Sequence, residues 1–363
     1  MIKQGEIVDT SDVVEIEDPN DQFNIGEAYY NTVGEEQDSK EAVKWFRLAA
    51  KQGHVLSQYY LAACYYHGDG VKKDKKAAVE WWQKAAEQGF DMAQFDLGCC
   101  HYFGEGTAVD MKTAVEWWQK AAAQGMTQAQ YFLAISYYHG DGVKMDKKMA
   151  VKWYRKAAEQ GDADAQFELA KCYKEGIGVK ENKKAAAEWY LKAAEQGHGD
   201  AQFYIGVCYS DGVGVKKNLE KAFEWWQKAA EKGISDAQFN IGVCYKFGKG
   251  VTKDYAQAVK WYRLAAEQGD PMAQFNLSNC YFYGEGVKED ETEVLKWLRK
   301  AAKQGHVSAQ YNLGICYEVG YGVRKNMKTA AEWYRKAAEL GDEKAKEWLE
   351  ENGLNLPFFK SAK

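Results

Sequence analysis

Two apolar patterns alternate along most of this chain, each with the 3.6-residue period of an amphipathic helix, and together they recur every 36 residues. The first opens on Ala-Gln-(Phe/Tyr), at Ala93, Ala129, Ala165, Ala201, Ala237, Ala273 and Ala309, with weaker copies starting at Asp21 and Ser57. The second carries one tryptophan per copy: Trp45, Trp81, Trp117, Trp153, Trp189, Trp225, Trp261, Trp297 and Trp333. Nine copies follow one another without insertion or deletion. A period in this range belongs to a stacked solenoid, in which each unit buries its apolar face only against its neighbours. The expected fold is therefore all-α, a solenoid of about nine helix-turn-helix repeats.

One copy, residues 162–197, shows how each boundary is encoded. Gly161 can close the preceding helix in a left-handed turn, and Asp162 can cap the next one. Helix A should cover about 163–174 and end in the loop Glu175-Gly176-Ile177-Gly178-Val179. That two-glycine loop recurs from Gly68/Gly70 through Gly320/Gly322. Asn182 should cap helix B, and its position is Asp or Asn in all copies: Asp38, Asp74, Asp110, Asp146, Asn218, Asp254, Asp290 and Asn326. Helix B should cover about 183–196, with Ala186, Trp189, Tyr190, Ala193 and Ala194 on its core face. Helices this short are marginal alone, so stacking must supply their stability. Repeat 1 is irregular, with Thr32 where a loop glycine is expected. Three regions follow: an acidic segment at 1–20, the nine repeats at 21–341, and a capping helix with a tail at 342–363. Ala345-Lys346 replaces Ala-Gln in the capping helix, and the tail Leu354-Asn355-Leu356-Pro357-Phe358-Phe359 could fold back over the last core.

Variation between copies locates the candidate binding face. With the Ala-Gln pair numbered 0 and 1, positions 0, 1, 2, 4, 5, 7 and 8 of helix A are nearly constant and form the stacking core. Positions 3, 6 and 10 vary and share the remaining arc; position 9 varies about 60° away. This stripe is unusually apolar for an exposed surface. The candidate partner-binding residues on it are Tyr60, His67, Phe103, Phe132, His139, Tyr204, Phe247 and Tyr283, joined by the position-9 row Tyr66, Tyr102 and Tyr138. Asn240, Asn276 and Asn312 add side chains that offer both donor and acceptor to a peptide backbone. Repeat 5 interrupts the stripe with Glu168, Lys171 and Glu175. An exposed apolar stripe marks an interface; the alternative is that some of these side chains tuck beneath a neighbouring repeat.

Charge and candidate chemistry narrow the function further. The formal charge is -5, and the first 21 residues hold seven acidic groups and one lysine, so the array is nearly balanced. A nucleic-acid groove needs a basic stripe, so none is expected. No run of 18 apolar residues exists to span a membrane, and the start Met1-Ile2-Lys3-Gln4-Gly5-Glu6 lacks an apolar signal core. Seven of the eight cysteines share one repeat position: Cys64, Cys100, Cys172, Cys208, Cys244, Cys280 and Cys316. Equivalent positions in stacked helices lie at least ~8–10 Å apart, beyond the about 7 Å a disulfide bridges. Free thiols and a cytoplasmic, reducing location are therefore expected, with a secreted or periplasmic one if a signal peptide has been removed. His67-Gly68-Asp69-Gly70 and His139-Gly140-Asp141-Gly142 lie two repeats, about 20 Å, apart, so they read as turns rather than a metal site. No catalytic constellation and no cofactor are expected. Trp81-Trp82 and its equivalents lie in phase with the alanine face and read as core.

These residues resemble the Sel-1-like repeat family, relatives of the tetratricopeptide solenoids, over residues 21–341. The resemblance rests on Ala-Gln-Phe-x-Leu-Gly-x-Cys-Tyr in helix A, Gly248-Lys249-Gly250-Val251 in the loop, and Ala-x-Lys-Trp-Tyr-Arg-x-Ala-Ala-Glu-Gln-Gly over 258–269. It implies a right-handed superhelix, a concave helix-A surface and a role as a non-catalytic adaptor or scaffold for a protein or peptide partner, as a monomer or with weak self-association. Carbohydrate or cell-wall binding through the aromatic row is the alternative. A third reading, β-lactam binding or hydrolysis, is implied by some cysteine-rich members; those pair a helix-A cysteine with one on helix B, which this chain lacks.

Overall fold

A side chain takes the place of the missing preceding turn at the start of most helices, and a left-handed glycine releases the chain at the end of every complete A helix. The computed structural model describes residues 16–31 and 36–354 of the protein. Residues 1–15 of the acidic segment, Thr32, and tail residues 355–359 lie outside these. The described chain falls into two units, Met1–Glu181 and Asn182–Lys363. The first holds α1 (Pro19–Tyr30), α2 (Glu36–Lys51), α3 (Val55–His67), α4 (Lys75–Glu87), α5 (Asp91–Phe103), α6 (Met111–Ala123), α7 (Thr127–His139), α8 (Lys147–Glu159) and α9 (Ala163–Glu175). The second holds α10 (Lys183–Glu195), α11 (Gly199–Asp211), α12 (Leu219–Glu231), α13 (Ser235–Phe247), α14 (Tyr255–Glu267), α15 (Pro271–Tyr283), α16 (Glu291–Lys303), α17 (Val307–Val319), α18 (Met327–Glu339) and α19 (Glu343–Glu351). Among the described residues there are no strands. Within each unit every helix packs on the next in sequence, so each unit is a helical solenoid.

The caps act where the sequence places them. Asp162 accepts from the Ala165 N–H at 2.7 Å, and Asn182 accepts from Ala185 N–H at 3.0 Å. His54, His198 and His306 cap A helices through Nδ1 in the same way. Asp38 differs from the expectation: α2 begins at Glu36, so Asp38 lies in its first turn rather than ahead of it. A carboxylate is favourable there against the helix dipole, so the same residue type serves both places. The second loop glycine has a different role from the first. At Gly106 the backbone has φ +73°, and a Cβ would sit 2.2 Å from the Lys75 carbonyl oxygen. The loop after one A helix thus presses on the first turn of the preceding B helix, which only glycine allows.

Each core cluster joins small residues of a B helix to those of the A helix that follows it, closed in every repeat but the eighth by one aromatic ring. Ala114, Trp118, Ala121, Ala129 and Leu133 are wholly buried in one such cluster. Tyr154, Tyr190, Tyr262 and Tyr334 fill the equivalent place elsewhere. The marker tryptophans are less uniform than expected. Trp189 is half-buried rather than core, as are Trp81, Trp153, Trp225 and Trp333. Each carries the ammonium of the lysine one turn on, such as Lys192 at 3.9 Å from the Trp189 ring centre, a cation–π arrangement.

Buried glutamines tie the repeats together. The Nε2 of Gln94 donates to the Ala86 carbonyl at 3.1 Å, while its Oε1 accepts from Gln124 at 2.9 Å. The same pair recurs as Gln88 to Gln58, Gln160 to Gln130, Gln268 to Gln238 and Gln304 to Gln274. At the end of the second unit, α19 closes the stack: Trp348 lies 4.3 Å from the Tyr334 ring and donates from Nε1 to Glu318 at 3.1 Å.

Candidate functional site

Position 10 is the last residue of each complete A helix, ahead of the left-handed glycine, and it stands in solvent. His67, Phe103, His139, Phe247 and Tyr283 are all exposed there; Phe103 and Phe247 are 59% exposed and Tyr283 is 65%. Position 3 points closer to the preceding repeat, and its residues are half-buried. The Tyr60 ring stacks on Phe46 at 5.5 Å, and Phe132 lies 5.1 Å from Trp118. Tyr204 stacks on Tyr190 at 5.4 Å. These three rings tuck beneath the preceding repeat. Asn240, Asn276 and Asn312 are also half-buried, and Asn276 spends its amide on the Met272 carbonyl one turn back, at 2.8 Å.

Two of the position-9 tyrosines, Tyr66 and Tyr102, bond across to the loop of the next repeat, while Tyr138 contacts Lys147 of its own. Tyr66, Tyr102 and Tyr138 are half-buried, with Tyr66 and Tyr102 laid 5.2 Å from Trp82 and 5.3 Å from Trp118. The Tyr66 hydroxyl donates to Glu105 in the next loop, and Tyr102 donates to Asp141 at 3.5 Å. Tyr138 holds the Lys147 ammonium 3.4 Å above its ring. In repeat 5, Lys171 and Glu168 pair at 3.0 Å, so its charges are satisfied locally.

Concavities open on this stripe within each unit, including one of about 200 Å³ beside Trp226, Asn240 and Val243 in the second. In the first, Tyr59, Ala63, Tyr66, Trp82, Asp96 and Phe103 border a pocket of about 600 Å³. Its chemistry is set by repeats 2 and 3. Trp118 and Trp226 donate from Nε1 to the carbonyls of Phe95 and Phe203, at 3.2 Å each. They reach these because Gly98 and Gly206 lie beneath them, where a Cβ would sit 2.5 Å from the indole. Repeat 2 has Ala62 instead, and the buried Nε1 of Trp82 has no partner. Asp96 is half-buried beside it. Burial pushes the Asp96 carboxyl up to about 6, against a hydrogen bond from Tyr59 and the charge of His67. Burial likewise pushes the Cys99 thiol up to about 12. Glu105 is held below the usual carboxylate range by hydrogen bonds from Tyr66 and Lys75.

In the second unit a cavity of about 320 Å³ lies between repeats 8 and 9. Phe282, Tyr283, Leu298, Ile315, Val319 and Tyr321 form its apolar wall, with Ser278, Asn279 and Asn312 as its polar points. Tyr283 and Asn312 are on the expected stripe; Phe282, Leu298 and Tyr321 are not. The available signal was the row of residues following each marker tryptophan, which is aromatic until Leu298.

The eight cysteines carry no disulfide, and seven of them are buried. Burial pushes the thiols of Cys64 and Cys100 up to about 12 and those of Cys172, Cys244, Cys280 and Cys316 up to about 11, so they act as small apolar groups. Among the described residues, no three His, Cys, Asp or Glu side chains are grouped to hold a metal ion, and no helix is long and apolar enough to cross a membrane.

Comparison with known proteins agrees with this geometry. No curated protein matches the chain significantly. Among solved structures, a Sel1 repeat protein from Oxalobacter formigenes is 30% identical, with 97% of each chain covered and a TM-score of 0.65. A protective antigen present in uropathogenic Escherichia coli strains, displaying an SLR fold, is 32% identical over 93% of this chain and 88% of that chain, with a TM-score of 0.57. The Sel1 repeat family model matches residues 19–54, 55–90, 91–126, 127–162, 163–198, 199–234, 235–270, 271–306 and 307–342. These nine matches abut without a gap and coincide with the packed helix pairs, so the chain belongs to the Sel1 repeat family.

Proposed function

We propose that this protein is a non-catalytic scaffold that binds a segment of a partner protein along the face formed by positions 3, 6 and 10 of its A helices. Sel1 repeats are typically protein-interaction scaffolds. The observation that carries the reading is that exposed Phe103 and Tyr283 each border a concavity within their own unit, with Phe247 exposed at the same repeat position. Large apolar side chains left in solvent next to pockets are characteristic of an interface rather than of a folding core. The asparagines at position 3 supply polar contacts between the apolar ones. Sugar stacking is disfavoured for the position-9 row, because Tyr66 and Tyr102 already lie against core tryptophans. Buried thiols that form no disulfide favour a reducing compartment, and we place the protein in the cytoplasm on that ground.

Site-specific photo-crosslinking tests the reading. A photoreactive residue at Phe103, Phe247 or Tyr283 should capture a reproducible partner in cells. The same residue at the exposed B-helix positions Lys152, Glu188 or Lys260 should not. Equal capture of one partner from the B-helix side would remove the assignment of the binding face.

A further inference from the structure

Leu298 breaks a rule that the other repeats keep. The B-helix residue after the marker tryptophan is Phe46, Trp82, Trp118, Tyr154, Tyr190, Trp226, Tyr262 and Tyr334; repeat 8 alone has an aliphatic residue, Leu298. The A-helix residue beneath it changes too. In repeats 7 and 9 it is Gly242 and Gly314, where a Cβ would come within 2.6 Å of the Tyr262 and Tyr334 rings. Repeat 8 has Ser278, whose hydroxyl donates to the Val294 carbonyl at 3.1 Å. A serine fits because Leu298 has no ring to meet it. A groove opens at the equivalent place beside Trp82 and beside Trp226, whose rings form part of its wall; here the cavity of about 320 Å³ reaches past Leu298 down to Ser278 and Val294, the floor that a ring covers in those repeats.

The walls of this cavity correspond to those that a ring meets elsewhere. The Tyr262 hydroxyl lies in the fields of Cys280 and Glu285; one repeat on, these positions are Cys316 and Tyr321, and both line the cavity. Around its mouth Phe282, Tyr283, Ile315 and Val319 are exposed together. The rim is acidic: Tyr321 lies in the field of Glu289, Asp290 and Glu291.

We infer that the cavity between repeats 8 and 9 is an anchor site for an aromatic side chain of the partner segment, carried in a stretch with lysine or arginine beside it. This rests on the proposed A-helix binding face. The incoming ring replaces the one that Leu298 lacks, and its basic neighbours meet the acidic rim. Buried aromatic anchors in pockets dominate interfaces of this kind, and the flanking charges add specificity and speed of encounter.

The test uses the full chain with labelled isoleucine, leucine and valine methyl groups, titrated with acetyl-Lys-Lys-Trp-Lys-Lys-amide and followed by NMR. Saturable shifts are expected at Leu298, Ile315 and Val319. The same peptide with alanine in place of tryptophan should bind on the order of tenfold more weakly, a difference of about 1.4 kcal/mol. A peptide with glutamates flanking the tryptophan should also bind more weakly at low salt. The double variant Ser278→Gly/Leu298→Tyr gives repeat 8 the pair that repeats 7 and 9 use, so it should fold and lose the tryptophan-dependent binding. Ile315→Glu, at the cavity mouth, provides a second block. Equal binding of the alanine peptide, absence of the three methyl shifts, or unchanged binding in a folded blocked variant would overturn the anchor site. Equal binding of the glutamate peptide would overturn its charge preference. If the crosslinks persist while the cavity tests fail, only the anchor site falls; if the crosslinks fail, the binding face falls with it.

Discussion

Replacing Leu340 with glutamine should stabilise the second unit, because the glutamine ladder is broken there. In the intact copies the glutamine that ends a B helix donates to a buried glutamine Oε1, as Gln268 does to Gln238 at 2.8 Å and Gln304 to Gln274 at 2.9 Å. The ladder glutamine is replaced by Lys232 and Leu340 at the ends of α12 and α18. In those two repeats the Oε1 atoms of Gln202 and Gln310 are buried with no partner. Their Nε2 atoms still donate, Gln310 to the Ala302 carbonyl at 3.0 Å, so each amide is half-satisfied. A buried acceptor without a donor costs about 1–3 kcal/mol, and a neutral hydrogen bond contributes about 0.5–1.5 kcal/mol net. Leu340 is 54% exposed, so removing it gives up little burial, and the glutamine stem replaces part of that. The expected gain is about 1 kcal/mol, equivalent to roughly 2–4 °C for a unit of this size. Gln268→Leu is the converse and should cost about 1–2 kcal/mol by orphaning Gln238. Guanidinium unfolding followed by circular dichroism reads both variants. Amide exchange adds local resolution, since a solenoid need not unfold in one step. If Leu340→Gln were neutral or destabilising, and Gln268→Leu also cost nothing, the ladder would not be a stabilising element and the two orphaned oxygens would not matter.

Three other outcomes are expected. Burial raises the Asp96 carboxyl to about 6, above the usual range of about 4 for an aspartate, so the folded state holds its proton longer than the unfolded chain does. Stability from this group is full below about pH 4, falls as pH rises to about 6, and is flat above; Asp96→Asn should flatten that part of the melting temperature against pH, and an unchanged slope would contradict the assignment. Gly98→Ala places a methyl group 2.5 Å from the Trp118 indole nitrogen and should break its bond to Phe95. The net cost should be about 1–3 kcal/mol despite alanine's better helix propensity, read by urea unfolding with tryptophan fluorescence. A thiol assay under denaturing, non-reducing conditions should count close to all eight cysteines; a count near zero would remove the reducing-compartment reading.

The helices, their ends and their repeat order were legible in the sequence because they depend on local chemistry. Asn182 caps α10 and Gly176 ends α9 through contacts within a few residues, and a 36-residue period repeats the message. Exposure of position 10 was also legible, since a residue adjoining the C-terminal glycine leaves the packed arc in each complete copy. Distances between helices were not legible, and the candidate site depends on them. Tyr60, Phe132 and Tyr204 share the variable arc with exposed neighbours, yet tuck under the preceding repeat because their rings are long enough to reach Phe46, Trp118 and Tyr190. Trp189 reads as core by phase, but the ring after it fills the space first and leaves Trp189 at the edge under Lys192. Leu298 and Ser278 are visible as substitutions in a row, but their consequence is a volume. That volume appears only when α15, α16 and α17 are packed together, since a cavity is the space between side chains from three helices and no one segment of sequence contains it.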